Sequence, residues 1–386
     1  MAGGNLDNAK KQKVDEFYTQ LSDIEKELKN YKDKFKGKVV FCNCDDPETS
    51  NFYYYFVSNF EELQLKKLIT THFEIDKASY MLEYEGGADV KGDKEIVVKR
   101  AIKLGKKSKL KQNFQQGVQG DLFETEPTRS YSGDFRSPEC VELLKQADIV
   151  VTNPPFSLFR EYVAQLMEYK KKFIIIGSKN AITYKDIFKL IKNNKVWLGY
   201  GFANGNAYFS VANPRDFASG VYDSKTGLVK FRNVGWFTNL DFKKRHDDII
   251  LYKKYNPSEY PKYINYNAIN VDLTKDIPQN YDGVMGVPIT FLDVYNPEQF
   301  EIVALGIIGS CEFTCNKKME ILDKDGKPTG KFTVNAKGTL YRKYNPEKDK
   351  KPAFKDVKTG ELYSSIYARV LIKKKLTKKG KQKNEN

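Results

Sequence analysis

Histidine is nearly missing from this chain, and cysteine, tryptophan and long apolar runs are scarce. Among 386 residues there are 2 His, 5 Cys and 2 Trp. His72 and His246 stand apart from any serine or cysteine constellation, so nucleophilic hydrolysis has no support. The cysteines fall at 42, 44, 140, 311 and 315, and neither Cys42-x-Cys44 nor Cys311-x3-Cys315 has a second ligand pair nearby. No metal site is expected. An odd cysteine count without a framework fits a reducing compartment. No apolar stretch approaches the ~20 residues needed to cross a bilayer, and no signal peptide is visible, so a cytoplasmic location is expected.

What is abundant is positive charge. The 65 Lys and Arg outnumber 50 Asp and Glu, giving a net charge of +15, while 40% hydrophobic and 13% aromatic content suffices for real cores. Such a balance suits a polyanionic partner. Basic residues cluster at Lys99 to Lys111 (KRAIKLGKKSKLK) and in the tail Lys373 to Lys383 (KKKLTKKGKQK). Binding through them should weaken steeply with salt.

The most informative segment is Asp148-Ile-Val-Val-Thr-Asn153-Pro154-Pro155-Phe156. Ile149 to Val151 read as a buried strand. Pro154 pushes Asn153 out of the helical region, so the strand ends extended. Neither proline has an N–H, which leaves the carbonyls of Asn153 and Pro154 to accept from a ligand beside the flat face of Phe156. Two acceptors and an aromatic plate suit a planar group with an exocyclic amine, adenine above all. Held by the Asn153 side-chain oxygen and the Pro154 carbonyl, an adenine N6 would point its lone pair at an electrophile. A base inside a duplex must be flipped out to reach such a pocket.

The surroundings extend this reading. Ser157 is placed to cap a helix carrying Leu158, Phe159, Tyr162, Val163, Leu166 and Met167, with Lys170 to Lys172 at its end. Phe173 to Gly177 reads as the next buried strand, so the segment is a βαβ unit within a parallel sheet. Ligands gather at the carboxyl ends of such strands. Upstream, Lys38 to Asn43 reads as a strand followed by the acidic loop Cys44 to Asn51 and an aromatic helix from about Phe52 to Phe60. Leu65 to Phe73 reads as another strand ending near Glu74 and Asp76, where carboxylates can bind ribose hydroxyls. Gly133-Asp134-Phe135-Arg136 and a helix to about Gln146 lead back to Asp148. In that place an Asp-Phe pair can meet an adenine ring.

Taken in order, these strings resemble the S-adenosylmethionine-dependent amino-methyltransferases of DNA, and more narrowly the EcoRI-type adenine-specific methyltransferases. The narrower resemblance rests on Asp15 to Gln20 (DEFYTQ), Cys42 to Pro47 (CNCDDP), Asp148 to Phe159 (DIVVTNPPFSLF), Trp197 to Gly199, Trp236 to Leu240 (WFTNL), Tyr260 to Tyr263 and Tyr281 to Leu292 (YDGVMGVPITFL). It covers about residues 8 to 310 and is patchy afterwards. It implies methyl transfer from S-adenosylmethionine to adenine N6 in duplex DNA, and a Rossmann-like, mostly parallel seven-stranded sheet with an antiparallel last strand. By the same resemblance Asn153, Pro154, Pro155 and Phe156 form the catalytic turn. Phe17, Tyr18 and Thr19 line the methionine side of the cofactor, and Asn43, Asp45, Asp46 and Pro47 belong to its loop. Glu74 takes its ribose, and Asp134 with Phe135 its adenine. A restriction–modification system with a cognate endonuclease, or a phage genome, is the implied setting.

One departure stands out. Amino-methyltransferases usually carry Asp-Pro-x-x-Gly-x-Gly after the first strand, whereas here Ser50 and Phe52 occupy the glycine positions. The EcoRI type shares this glycine-free loop. Two other readings stay open: a cytosine-N4 methyltransferase with the same pocket logic, and an inactive DNA-binding protein that keeps the fold. For organisation, the sequence predicts an N-terminal helical segment (about 8 to 36 within 1–36), a catalytic α/β domain over 37–250 and a target-recognition region with a basic tail over 251–386. An insertion at about 77–130 reads as a hairpin and loops. Gly199 to Val211 and Phe231 to Leu240 are expected to complete the sheet. In the last region a strand over Ile302 to Ile308 and a hairpin at KDGKPTGKFTV are expected.

Overall fold

A computed structural model of the chain describes residues 17–45, 50–72, 80–85, 97–103, 134–202, 205–211, 220–314 and 317–375. Two compact units emerge: the chain up to Ala181 with Val196–Phe242, and Ile182–Lys195 with the chain from Lys243 onward.

The first unit is organised by an eight-stranded sheet. In chain order its strands are β2 (Val39–Cys42), β3 (Lys67–His72), β4 (Tyr80–Glu85), β5 (Val97–Lys103), β6 (Ile149–Thr152), β7 (Lys172–Ser178), β8 (Trp197–Leu198) and β12 (Val234–Thr238), and in space the order is β5-β4-β3-β2-β6-β7-β12-β8. Strands β3, β2, β6 and β7 are mutually parallel. Every residue of β2 and β6 is buried, as expected for strands covered on both faces. Asp148 fastens the pair, its Oδ2 accepting from the Val39 N–H at 2.9 Å. Helical crossovers explain the parallel centre: α2 (Asn51–Ser58) joins β2 to β3, α3 (Pro138–Gln146) leads into β6, and α4 (Phe159–Glu168) joins β6 to β7.

The expectation of a mostly parallel seven-stranded sheet needs correction. Strands β4 and β5 pair antiparallel on one edge, and β12 and β8 antiparallel on the other, so the sheet is mixed. One of these antiparallel pairs, Tyr80–Glu85 with Val97–Lys103, lies within the span read as an insertion.

Two further corrections concern a small second sheet, ordered β1-β9-β11-β10, with β1 at Phe17–Thr19, β9 at Asn206–Val211, β10 at Tyr222–Asp223 and β11 at Leu228–Arg232. Among the described residues of the N-terminal segment, Phe17–Thr19 is a strand rather than helix, and it is followed by α1 (Leu21–Leu28) and further helical turns to Phe35. Tertiary packing overrides the helical spacing: Phe17 lies 4.7 Å from Phe231 and 6.1 Å from Phe209, ring centre to ring centre. Nor does Asn206–Val211 join the main sheet, since it pairs with β1 and β11. The chain passes from β11 into β12 of the main sheet through Asn233, whose φ of 65° Asn tolerates better than most residues.

The second unit contains two further sheets. One orders Ile269–Asn270, Met285–Pro288, Arg369–Lys374 and Phe300–Leu305; the other orders Pro328–Thr333, Met319–Leu322, Phe354–Asp356, Leu362–Ile366 and Leu340–Lys343. The expected strand near Ile302 is present, and so is the hairpin, which turns at Gly326 with φ of 77°. Among the described residues no helix is long and apolar enough to cross a membrane, and no cluster of side chains could hold a metal ion.

Candidate active site

Strand β6 delivers the Asn-Pro-Pro-Phe turn at its carboxyl end. Thr152 is buried, Asn153 half-buried, Pro154 buried, and Pro155 and Phe156 half-buried, with Phe156 packed against the core. A 3-10 turn over Phe156–Leu158 then precedes α4. Ser157 does not cap α4: Leu158 occupies the capping position, with no side-chain hydrogen bond. The reason is local, because the Pro155 carbonyl accepts from the Leu158 N–H at 3.0 Å and closes the turn earlier than capping would allow.

The Asn153 amide is the chemically interesting group. Its Nδ2 donates to the Phe17 carbonyl at 2.7 Å. Its Oδ1 is withdrawn from solvent and has no hydrogen-bond partner. Because Phe17 O can only accept, the amide orientation is decided, and the free end of Asn153 is an acceptor. An unpaired buried acceptor costs about 1–3 kcal/mol, which a donor on a bound molecule removes.

The neighbouring strand β2 ends at the acidic loop. Asn43 is buried and its Oδ1 accepts from the Tyr162 hydroxyl, while its Nδ2 has no partner. Burial drives the Tyr162 phenol far above its ordinary pKa, so it stays a neutral donor. Asp45 is buried at 6% exposure, which moves it from a simple ligand to a junction. Its Oδ1 accepts from Ser50 Oγ at 2.9 Å, and its Oδ2 accepts from Thr152 Oγ1. Ser50 also caps α2, accepting from the Phe52 N–H at 3.1 Å. In the glycine-free loop, serine thus does its work through its side chain. Asp46, Pro47 and Glu74, together with Asp76, lie outside the described residues.

Strand β1 faces this loop. Asn51 Nδ2 donates to the Thr19 carbonyl at 2.7 Å, and Tyr18 lies half-buried between Phe17 and Thr19. On the other side, Arg136 grips Asp134 through its backbone N–H and Nε on Oδ1, at 2.8 and 2.9 Å, and through Nη2 on Oδ2 at 2.7 Å. These bonds hold the Asp134 carboxyl below its usual pKa range. Phe135 is buried against Tyr162 with ring centres 5.0 Å apart, and the Arg136 guanidinium lies 5.3 Å from its ring centre.

The sequence gives no site role to Asn51, Thr152, Tyr162 or Arg136, and marks Ser50 only as a departure from glycine, not as a partner of Asp45. A Ser-Asn pair opening an aromatic helix is a capping signal that could have marked Ser50 and Asn51. The others need three-dimensional contact. Among the described residues, five buried polar atoms at or near the carboxyl ends of β1, β2, β3 and β6 lack partners: Thr19 Oγ1, Asn43 Nδ2, Thr70 Oγ1, Thr71 Oγ1 and Asn153 Oδ1. Asn43 Nδ2 and Asn153 Oδ1, at the carboxyl ends of the adjacent strands β2 and β6, are the pair that a polar ligand at that end of the main sheet would satisfy.

The main sheet, parallel at its centre, thus presents at its carboxyl end a turn with an unpaired buried acceptor. The family model for the adenine-specific methyltransferase EcoRI matches residues 5–375. The Type II methyltransferase M.EcoRI of Escherichia coli is 46% identical over 323 residues, covering 80% of this chain and 94% of that protein. M.MpnI of Mycoplasma pneumoniae is 38% identical over 305 residues, 77% of this chain and 84% of that protein. M.MgeORF184P of Mycoplasma genitalium is 37% identical over 310 residues, 78% and 85% respectively. No solved structure matches the chain. The chain belongs to the EcoRI family of adenine-specific methyltransferases.

Proposed function

We propose that the protein transfers a methyl group from S-adenosylmethionine to N6 of an adenine flipped out of duplex DNA, at a specific site. The observation that carries this reading is the Asn153 amide, tied at Nδ2 to Phe17 with Oδ1 left as an unpartnered buried acceptor. That oxygen takes one N6 hydrogen, and the Pro154 carbonyl takes the other. Two acceptors draw the N6 lone pair out of conjugation, so positioning and fixed dipoles lower the barrier without a strong base. Phe156 stacks on the extruded base, worth about 1–3 kcal/mol, against an unpairing cost of a few kcal/mol.

The orphaned Thr19 Oγ1 and Asn43 Nδ2 fit a polar cofactor, as does the ionised Asp134, an acceptor for an adenine amino group. Phe17, Tyr18 and Thr19 would hold its methionine side, the Asp45–Pro47 loop and Glu74 its middle, and Asp134 with Phe135 its adenine. When bound, S-adenosylmethionine supplies a sulfonium methyl group and is left as a thioether. The N6 proton then passes to solvent, which the site needs no residue to accept.

The second unit, whose surface carries exposed aromatics such as Tyr252 and Tyr367, fits a target-recognition role, with the excess positive charge supporting backbone contacts. A cognate endonuclease reading the same site would complete a restriction–modification pair in the cytoplasm. The test is to incubate duplex DNA with labelled S-adenosylmethionine, digest it to nucleosides and identify the product by mass. N6-methyldeoxyadenosine is expected. N4-methyldeoxycytidine, or no methylated nucleoside, would overturn the reading.

A further inference from the structure

The bonds around the catalytic turn close into a ring. Thr152, adjoining Asn153, donates to Asp45; Ser50 donates to the same carboxylate. Asn51, next to Ser50, donates to the Thr19 carbonyl at the end of β1, and at the start of β1 the Phe17 carbonyl receives Asn153 Nδ2. The chain between 17 and 19 completes the circuit back to the turn. Three segments far apart in sequence thereby fix one amide, and β1 is held from both sides: by pairing with β9 and by Asn51.

Building on the reading of Asn153 as the amine acceptor, we infer that Asn51 and the Phe17 carbonyl are positioning groups that lock this amide with its oxygen toward the target. Asn51 touches neither reacting atom. It holds Thr19, hence the height of β1, hence the carbonyl that takes Nδ2. The lock also explains why Asn serves here. In an Asn153→Asp variant, an ionised side chain would set a carboxylate oxygen against the Phe17 carbonyl, whereas a protonated one could donate to Phe17 and still accept from the amine. The donor form exists below the pKa of that carboxyl, so activity of Asn153→Asp should rise on acidification relative to wild type.

The test combines four variants in full-length protein, with kcat, both KM values, thermal midpoint and product mass measured for each. Asn51→Ala should lower kcat about 5- to 10-fold, the equivalent of one hydrogen bond, with KM for S-adenosylmethionine and DNA within about 3-fold. Asn51→Asp keeps the size but sets a carboxylate against the Thr19 carbonyl, a loss that the helix N-terminus offsets only in part, so kcat should fall at least as far as in Asn51→Ala. A kcat loss with both KM values held, at a temperature well below the thermal midpoint of each variant, is a readout that a general loss of stability would not give. Asn153→Asp should be about 100-fold impaired near pH 8 and recover at least about 10-fold, relative to wild type, near pH 5.5. Wild-type kcat in both Asn51 variants, or a pH-independent deficit in Asn153→Asp, would overturn the inference while leaving the site reading intact. Near-normal activity of Asn153→Ala would instead overturn the site reading itself.

Discussion

Strands β2 and β6 lie side by side in parallel, yet their carboxyl-end turns are built on opposite principles. After β6 the backbone does the work: two prolines remove N–H groups, and one free side-chain oxygen is left over. After β2 the side chains do it. Where related turns use glycine to bring backbone close, Asp45 and Ser50 bond each other, and Ser50 caps the helix that follows. The first kind of turn announces itself in a string of four residues. The second is invisible until its partners meet. Asp45 joins the two, since Thr152 of β6 donates to it.

Removing that junction should have the largest effect. Asp45→Ala orphans the Thr152 and Ser50 hydroxyls in a buried site; we expect a loss of about 2–4 kcal/mol in urea unfolding and about 100-fold in kcat/KM. A variant with wild-type stability would mean the turns are independent. Phe156→Ala keeps both turns and removes the plate, so methylation should fall through weaker capture of the extruded base, by about 1–3 kcal/mol. A 2-aminopurine reporter at the target position would read that step directly. Ser50→Gly restores the residue usual in related loops, yet here it should destabilise by about 1–2 kcal/mol, from one lost hydrogen bond and a weaker cap. Stabilisation would show that the glycine-free loop is ordinary after all.

The smallest effect is expected at Arg136. Its bonds depress the Asp134 pKa, so Asp134 stays an ionised acceptor to lower pH than an ordinary carboxylate. Arg136→Gln lets that pKa rise back toward its usual value. Cofactor affinity should then begin to fall at a higher pH on acidification, while changing only a few-fold at neutral pH. Titration calorimetry across pH checks this, and an unmoved acid limb would exclude Arg136 from the site.

Much of the first unit could be read from local pattern. Val39–Cys42, Ile149–Thr152 and Lys172–Ser178 are short β-branched or apolar runs bounded by turn residues, and the Asn-Pro-Pro-Phe turn follows from backbone sterics. What escaped depends on distant partners. Phe17–Thr19 has helical spacing but is a strand, because Phe209–Val211 offers it an edge and Phe231 a ring to pack on. The bond from Asn153 to Phe17 spans 136 residues, and that from Thr152 to Asp45 spans 107, so no window of sequence contains either. An antiparallel last strand and a hairpin in the insertion are expected, but the number of strands and their order are properties of tertiary pairing that no local pattern carries.

The most direct test of Asn153 as the amine acceptor is Asn153→Ala, measured by single-turnover N6-adenine methylation alongside binding of S-adenosylmethionine and of duplex DNA. Transfer should fall by at least about 100- to 1,000-fold, with both affinities within a few-fold of wild type. Transfer at a near-normal rate, with N6-methyladenine still the product, would contradict that role.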